Sequence, residues 1–154
     1  MVSRVFSAGL SGIDGYIVTV ECFLSGGLPR LDVVGLPTGA VSEAGERVRA
    51  AAKACAFDWP VSRLTVNLPS ILAAAGEIDA PPDNALFFGE LSLTGELRPV
   101  CGALSMALAA RDAGFKTVFV PAMNAAEASY ASGVTVFPIR TLNELLGHLN
   151  GRKP

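Results

Sequence analysis

Residues 88–121 constrain this chain more tightly than any other stretch. In Phe88-Gly89-Glu90-Leu91-Ser92-Leu93-Thr94-Gly95-Glu96-Leu97-Arg98-Pro99-Val100, apolar and polar residues alternate, turn on glycine, alternate again and stop at proline. That is the pattern of a β-hairpin. Cys101 to Phe115 then reads as an Ala/Leu helix, and Lys116 to Pro121 as a short apolar strand. A hairpin followed by a helix and a further strand sets the class as α+β, with strand–helix units that carry parallel pairing.

The flanking sequence agrees. Arg4 to Leu10 and Tyr16 to Leu24 read as strands joined by the turn Gly12-Ile13-Asp14-Gly15. The second alternates, with Tyr16, Val18, Val20 and Cys22 on one face and Ile17, Thr19 and Glu21 on the other, so one face is expected to be buried and the other only partly. Arg30 to Val34 is a third strand, which makes the opening third an antiparallel meander. Thr38 to Cys55 is the first helix, with Thr38 as cap, Val41, Ala44, Val48, Ala51 and Cys55 on one face, and a possible Glu43–Arg47 pair on the outside. Arg63 to Leu68 is a fourth strand, Pro69 to Gly76 a helix remnant and Glu77 to Asn84 a polar loop. Beyond the hairpin unit, Ala122 to Ala131 reads as a helix and Val134 to Pro138 as a strand. Thr141 to Asn150 reads as a terminal helix, with Leu142, Leu145, Leu146 and Leu149 on one face.

Composition narrows the function classes. Of 154 residues, 51% are hydrophobic and 17% charged, as in a globular core rather than a disordered tail. No apolar run reaches the roughly 18–20 residues of a membrane span, and the start is too mixed for a signal peptide, so a cytoplasmic chain is expected. The net charge is −2. A freestanding nucleic-acid binder shows a basic surplus because affinity scales with the phosphates neutralised. Any DNA contact by this chain would therefore have to be local, weak or multiplied by oligomerisation. Cys22, Cys55 and Cys101 have no metal-type spacing and read as buried free thiols.

The chemistry-bearing side chains are few. No G-x-x-x-x-G-K-[ST] loop is present; Gly26-Gly27 and Gly35-Leu36-Pro37-Thr38-Gly39 come nearest and lack the lysine, so they read as turns. His148 is the sole histidine and sits in the last helix, where a cation favours the helix dipole, rather than beside a nucleophile or a second metal ligand. Glu90 and Glu96 are placed across the hairpin turn as a solvated pair rather than an acid/base couple. Arg47, Arg49 and Lys53 on the first helix, with Arg63 near in sequence, form the basic candidates. A solvated helix face accounts for such a patch; contact with DNA or a neighbouring subunit is the functional alternative. No aromatic stacking platform is interleaved with these residues.

Three stretches near the start resemble the opening of the magnesium-chelatase-like family, the ComM/YifB proteins: Val5-Phe6-Ser7-Ala8-Gly9-Leu10-Ser11-Gly12-Ile13-Asp14-Gly15, Gly27-Leu28-Pro29-Arg30-Leu31-Asp32-Val33-Val34-Gly35-Leu36-Pro37 and Glu46-Arg47-Val48-Arg49-Ala50-Ala51. Phe88 to Val100, with Ala107-Leu108-Ala109-Ala110-Arg111-Asp112-Ala113-Gly114-Phe115-Lys116, resembles the later part of the same domain. The hairpin–helix–strand order also resembles the second half of the Lon-type protease domain. The resemblance implies a Lon-protease-like fold, of the ribosomal-protein domain-2-like superfold, over residues 1–150. Residues 151–154 would then be a frayed tail leading to an AAA+ module absent from this sequence. It implies a hexameric parent that acts as a DNA branch-migration helicase in recombination or natural transformation. ATP and Mg would belong to that AAA+ module and no cofactor to this chain.

Two departures bear on mechanism. Lon-type proteases activate a serine with a lysine in a Gly-Gly-Leu-Lys-like run that opens the helix after the hairpin. Laid on that run, Cys101-Gly102-Ala103-Leu104 puts Leu104 at the lysine position. An aliphatic side chain cannot take the hydroxyl proton, and Ser105 supplies no base in its stead. Resembling proteins also carry about twenty more residues between Leu68 and Ile71, the loop that corresponds to the one bearing the Lon serine. The expected role is a non-catalytic domain serving ring assembly and DNA contact through Arg47, Arg49 and Lys53. The alternatives are a degenerate Lon-type serine peptidase and a purely structural oligomerisation module.

Overall fold

The computed structural model describes residues 2–25, 31–32, 47–56, 63–65 and 82–151. Strands β1 (Val2–Ser11) and β2 (Asp14–Ser25) form a long antiparallel hairpin whose turn is Gly12-Ile13 alone, with Ser11 opposite Asp14. The strands therefore run further into the expected four-residue turn. Next come β3 (Leu31–Asp32), a helix α1 over residues 47–54 and β4 (Arg63–Thr65). Then follow β5 (Ala85–Phe87), the two-stranded ribbon β6 (Glu90–Leu91) and β7 (Leu97–Arg98), helix α2 (Ala103–Asp112) and β8 (Thr117–Pro121). A 3-10 turn (Ala122–Asn124), α3 (Ala125–Ala128), β9 (Thr135–Ile139) and α4 (Leu142–Leu149) complete the described chain.

Seven strands make one mixed sheet in the order β3-β4-β2-β1-β5-β8-β9. Four neighbouring pairs are parallel: β3–β4, β1–β5, β5–β8 and β8–β9. This corrects the expected meander. β3 does not extend the β1–β2 hairpin, because β4 lies between β3 and β2 and pairs parallel with the one and antiparallel with the other. A parallel pair needs a crossover rather than a tight turn, and the segment between β3 and β4 contains α1. The mostly parallel sheet and four helices are consistent with the expected α+β class.

Layering follows from which side chains each strand buries. Leu86, Val118 and Val120 face one side, where Ala103, Met106, Ala107 and Ala110 of α2 and Ala128 of α3 cover them. Alanines let α2 sit close to the sheet. Phe87, Phe119 and Ile139 face the other side beneath Leu142, Leu145 and Leu146 of α4, with Cys55 after α1 at the margin. On that side Phe87 and Phe119 stack at 4.8 Å and Phe119 and Phe137 at 5.2 Å, a ladder across three strands. Burial on both faces explains why β5 and β8 are apolar without alternation. β9 is the sheet's edge, where Pro138 can be accommodated.

Helix α4 begins as its sequence directs. The Thr141 hydroxyl accepts from the Glu144 amide at 3.2 Å, and the Leu142 amide donates to the Gly95 carbonyl at 2.8 Å, which ties the helix to the ribbon turn. Among the described residues no helix is long and apolar enough to cross a membrane. Several expectations lie outside the described residues: the Thr38 cap and helix start with Glu43, the Gly26-Gly27 and Gly35–Gly39 turns, the strand beyond Thr65, the 69–76 helix remnant and the tail after Gly151.

Candidate functional site at the entry to the post-hairpin helix

β1 and β5 pair at a single position, Phe6 opposite Leu86. From there the chain leaves β1 towards β2 on one side and β5 towards β8 on the other. The carboxyl ends of two parallel strands with diverging connections leave a crevice between them, the usual ligand location in parallel sheets. A pocket of about 240 Å³ lies there, lined by Ser7, Ala8 and Leu10 of β1, Phe88 and Gly89 after β5, and Val100, Cys101 and Met106 around the start of α2. Its walls are mainly apolar, with Ser7 and the exposed Cys101 among the lining residues.

The start of α2 is held from two sides. Gly102 takes a left-handed conformation, φ 76°, as the residue entering the helix. A Cβ at Gly102 would lie 3.0 Å from Leu10 Cδ2 and nearer still to Cδ1, so glycine meets both the backbone and the packing requirement. Gly15 of β2 lies against the Ser105 carbonyl in the same way. From the other side, buried Asn124 bonds both backbone groups of Val100: its Oδ1 accepts from the Val100 amide and its Nδ2 donates to the Val100 carbonyl, each at 2.9 Å. One Glu127 carboxylate oxygen accepts from the Leu104 amide at 3.1 Å. α2 has no side-chain cap of its own. The Glu127 carboxylate fills that role from another element and complements the positive end of the helix dipole, worth about 0.3–1 kcal/mol.

Leu104 sits in the first turn of α2 and packs its side chain against the core beneath the helix. This is an apolar contact with no proton to exchange. Neighbouring Ser105 contributes its backbone carbonyl to the Gly15 contact. Among the described residues no group of three or more metal-ligating side chains exists.

The basic candidates lie along α1. Arg49 and Lys53 are exposed one helical turn apart. Arg47 is half-buried and bonds Glu90 Oε1 at 2.7 Å, linking α1 to β6. The described Arg47 ion pair is thus with Glu90, far along the chain, and the Glu43 partner falls outside the described residues. The carboxylate pair across the hairpin is corrected as well: Glu90 stands opposite Arg98, whereas Glu96 forms a bridge with Thr141. Five residues, 92–96, join β6 to β7, and the Ser92 amide donates to the Glu96 carbonyl at 2.8 Å, so Glu96 faces Ser92 rather than Glu90. His148 lies in the last turn of α4 as expected, and its ring also rests on Phe137 at 4.4 Å and edge-on to Phe119 at 5.2 Å. Cys55 is half-buried and burial pushes its thiol pKa up, while Cys101 is exposed, which corrects its expected burial. The Cys22 side chain lies outside the described residues.

Sequence reasoning missed Asn124 and Glu127. Both belong to a segment legible as a helix, but their partners lie 24 and 23 residues away, beyond any local pattern.

The family model described as subunit ChlI of Mg-chelatase matches residues 20–70 and 69–124. An uncharacterised protein of Mycobacterium tuberculosis is 40% identical over 168 positions, covering 97% of this chain and 33% of the relative. Competence protein ComM of Haemophilus influenzae is 35% identical over 167 positions, covering 97% of this chain and 33% of that protein. An archaeal Lon protease from Methanothermobacter thermautotrophicus is 34% identical over 83 residues, covering 51% of this chain and 13% of the protease. The chain spans about a third of the length of the first two. Since 97% of 154 residues is about 149, roughly twenty of the 168 aligned positions have no counterpart here. The two family-model segments meet at residues 69–70, which points to the expected gap between Leu68 and Ile71.

Proposed function

The chain belongs to the magnesium-chelatase-like ComM/YifB family, and on that footing we propose that it is a non-catalytic, Lon-like domain supporting a ring-forming AAA+ ATPase that works on DNA. One observation carries the reading: the first turn of α2, where a Lon-type enzyme would need its lysine, holds Leu104 with its side chain against the core. A serine hydroxyl in the crevice would find no amine there to take its proton. The printed name of the Haemophilus relative, a competence protein, supports a role in DNA uptake or recombination for the parent. ATP and Mg chemistry, branch migration and hexamer formation would belong to the longer parent. In this chain the contact residues are Arg49 and Lys53, exposed on α1, with Arg47 anchored to Glu90 beside them. Their modest charge suits a ring, in which six weak contacts act together.

A fluorescence-anisotropy titration of labelled duplex DNA at 50 and 200 mM salt tests this. Wild type is expected to bind weakly and to lose affinity steeply with salt, because the contacts displace counterions. Arg49→Glu with Lys53→Glu should abolish the signal while leaving the circular dichroism spectrum unchanged. Tight, salt-insensitive binding by the isolated chain would overturn the proposal. Binding unaffected by the double substitution would point instead to a purely structural module. The likeness to the archaeal Lon protease favours a second reading, a degenerate serine peptidase using Ser70 or Ser105.

A further inference from the structure

The segment between β8 and β9 reaches across to the start of α2 through two side chains, Asn124 and Glu127. Asn124 is buried, and both its amide ends are bonded to one residue, Val100, as a neighbouring strand would bond it. Glu127 holds the Leu104 amide four residues further on. Together they grip both ends of the strap Val100–Leu104, and two of its residues, Val100 and Cys101, form one wall of the crevice. The opposite wall is β1, and there the strap has packing contacts, Leu10 beside Gly102. Directional hydrogen bonds in a dry site hold a relative position far better than sliding apolar contacts do.

We propose that residues 122–131 act as a lever: their position, passed through Asn124 and Glu127, sets where the strap lies and how widely the crevice opens towards β1. The lever is short, with Asn124, Ala128 and Ala131 buried on its inner side and Met123 and Tyr130 largely exposed on its outer side. Its movement does not require β8 or β9 to part. On this proposal the strap and lever open together as one local unit, below the free energy of global unfolding.

Native-state hydrogen exchange, combined with alkylation of Cys101 mapped by mass spectrometry, tests this on the whole chain. Asn124→Asp keeps the side chain's size and the acceptor for the Val100 amide, but sets a second acceptor against the Val100 carbonyl. The Val100 and Leu104 amides should then exchange about tenfold faster or more, as expected for loss of a buried hydrogen bond. Cys101 should alkylate at a clearly altered rate, with the β8 and β9 amides protected as in wild type. If Asn124→Asp does not fold, Glu127→Ala decides, with the same local change expected at Leu104 and Cys101. Protection lost equally in β8 and β9 would overturn the proposal, since Asn124 would then be part of the general core. Unchanged strap amides and an unchanged Cys101 rate would overturn it equally.

Discussion

Replacing Gly15 by alanine should expose how directly α2 rests on the β1–β2 hairpin. A Cβ at Gly15 would fall inside van der Waals distance of the Ser105 carbonyl oxygen, 2.8 Å from the Ser105 carbonyl carbon and 3.1 Å from Ala109 Cβ. Two of these atoms are helix backbone, so no rotamer change relieves the clash, and α2 must retreat by about an ångström. A gap of that size forfeits a quarter to a half of each dispersion contact along its track. The residues affected are Ala103, Met106, Ala107 and Ala110, all buried. Alanine is otherwise the better strand residue by a few tenths of a kcal/mol, which offsets little. The net cost should be about 1–3 kcal/mol, the usual range for overpacking. For a domain of this size that lowers the midpoint by roughly 2–12 °C. Gly9→Ala is the control, because its Cβ would meet the end of the Tyr16 ring at 2.7 Å. Tyr16 is half exposed and can swing away, so Gly9→Ala should cost under about 0.5 kcal/mol. Urea denaturation followed by circular dichroism measures both. A Gly15→Ala chain as stable as wild type would refute the seating of α2 on the hairpin.

Three further outcomes follow from the packing. Leu142→Ala should cost about 2–5 kcal/mol in urea denaturation, since Leu142 is fully buried between α4 and the aromatic ladder. Gly95→Ala forces alanine to φ 87° and sets a Cβ 2.6 Å from Cys55 Sγ. Stability should fall by about 1–2 kcal/mol from the backbone alone, and adding Cys55→Ala should recover only the part due to the clash, as read in a double-mutant cycle. Cys55 should alkylate more slowly than the exposed Cys101 near pH 8, because its burial both shields the thiol and raises its pKa, which keeps it protonated. Peptide mapping after timed iodoacetamide treatment distinguishes the two sites.

Much of the fold is written in local pattern. The Leu142, Leu145, Leu146 and Leu149 stripe of the terminal helix and the Ala/Leu helix after the hairpin appear where periodicity places them. What escaped was non-local. β5 is only Ala85-Leu86-Phe87, too short to alternate, and falls unassigned between the polar loop ending at Asn84 and the hairpin starting at Phe88 until β1 and β8 flank it. The position of β3 depends on β4 entering between it and β2, which the order of elements does not reveal. At the site, Leu104 is found by laying Cys101-Gly102-Ala103-Leu104 on the Gly-Gly-Leu-Lys-like run of Lon-type proteases. Its setting is not legible there, because Asn124, Glu127, Leu10 and Gly15 come from four other elements.

The proposed function rests on Leu104 in the first turn of α2, a residue unable to activate a hydroxyl. Incubating the purified chain with unfolded casein and a serine-directed fluorophosphonate tests it most directly. The account predicts intact casein and no labelled serine. Casein cleavage with label on Ser70 or Ser105, both lost when that serine becomes alanine, would contradict it.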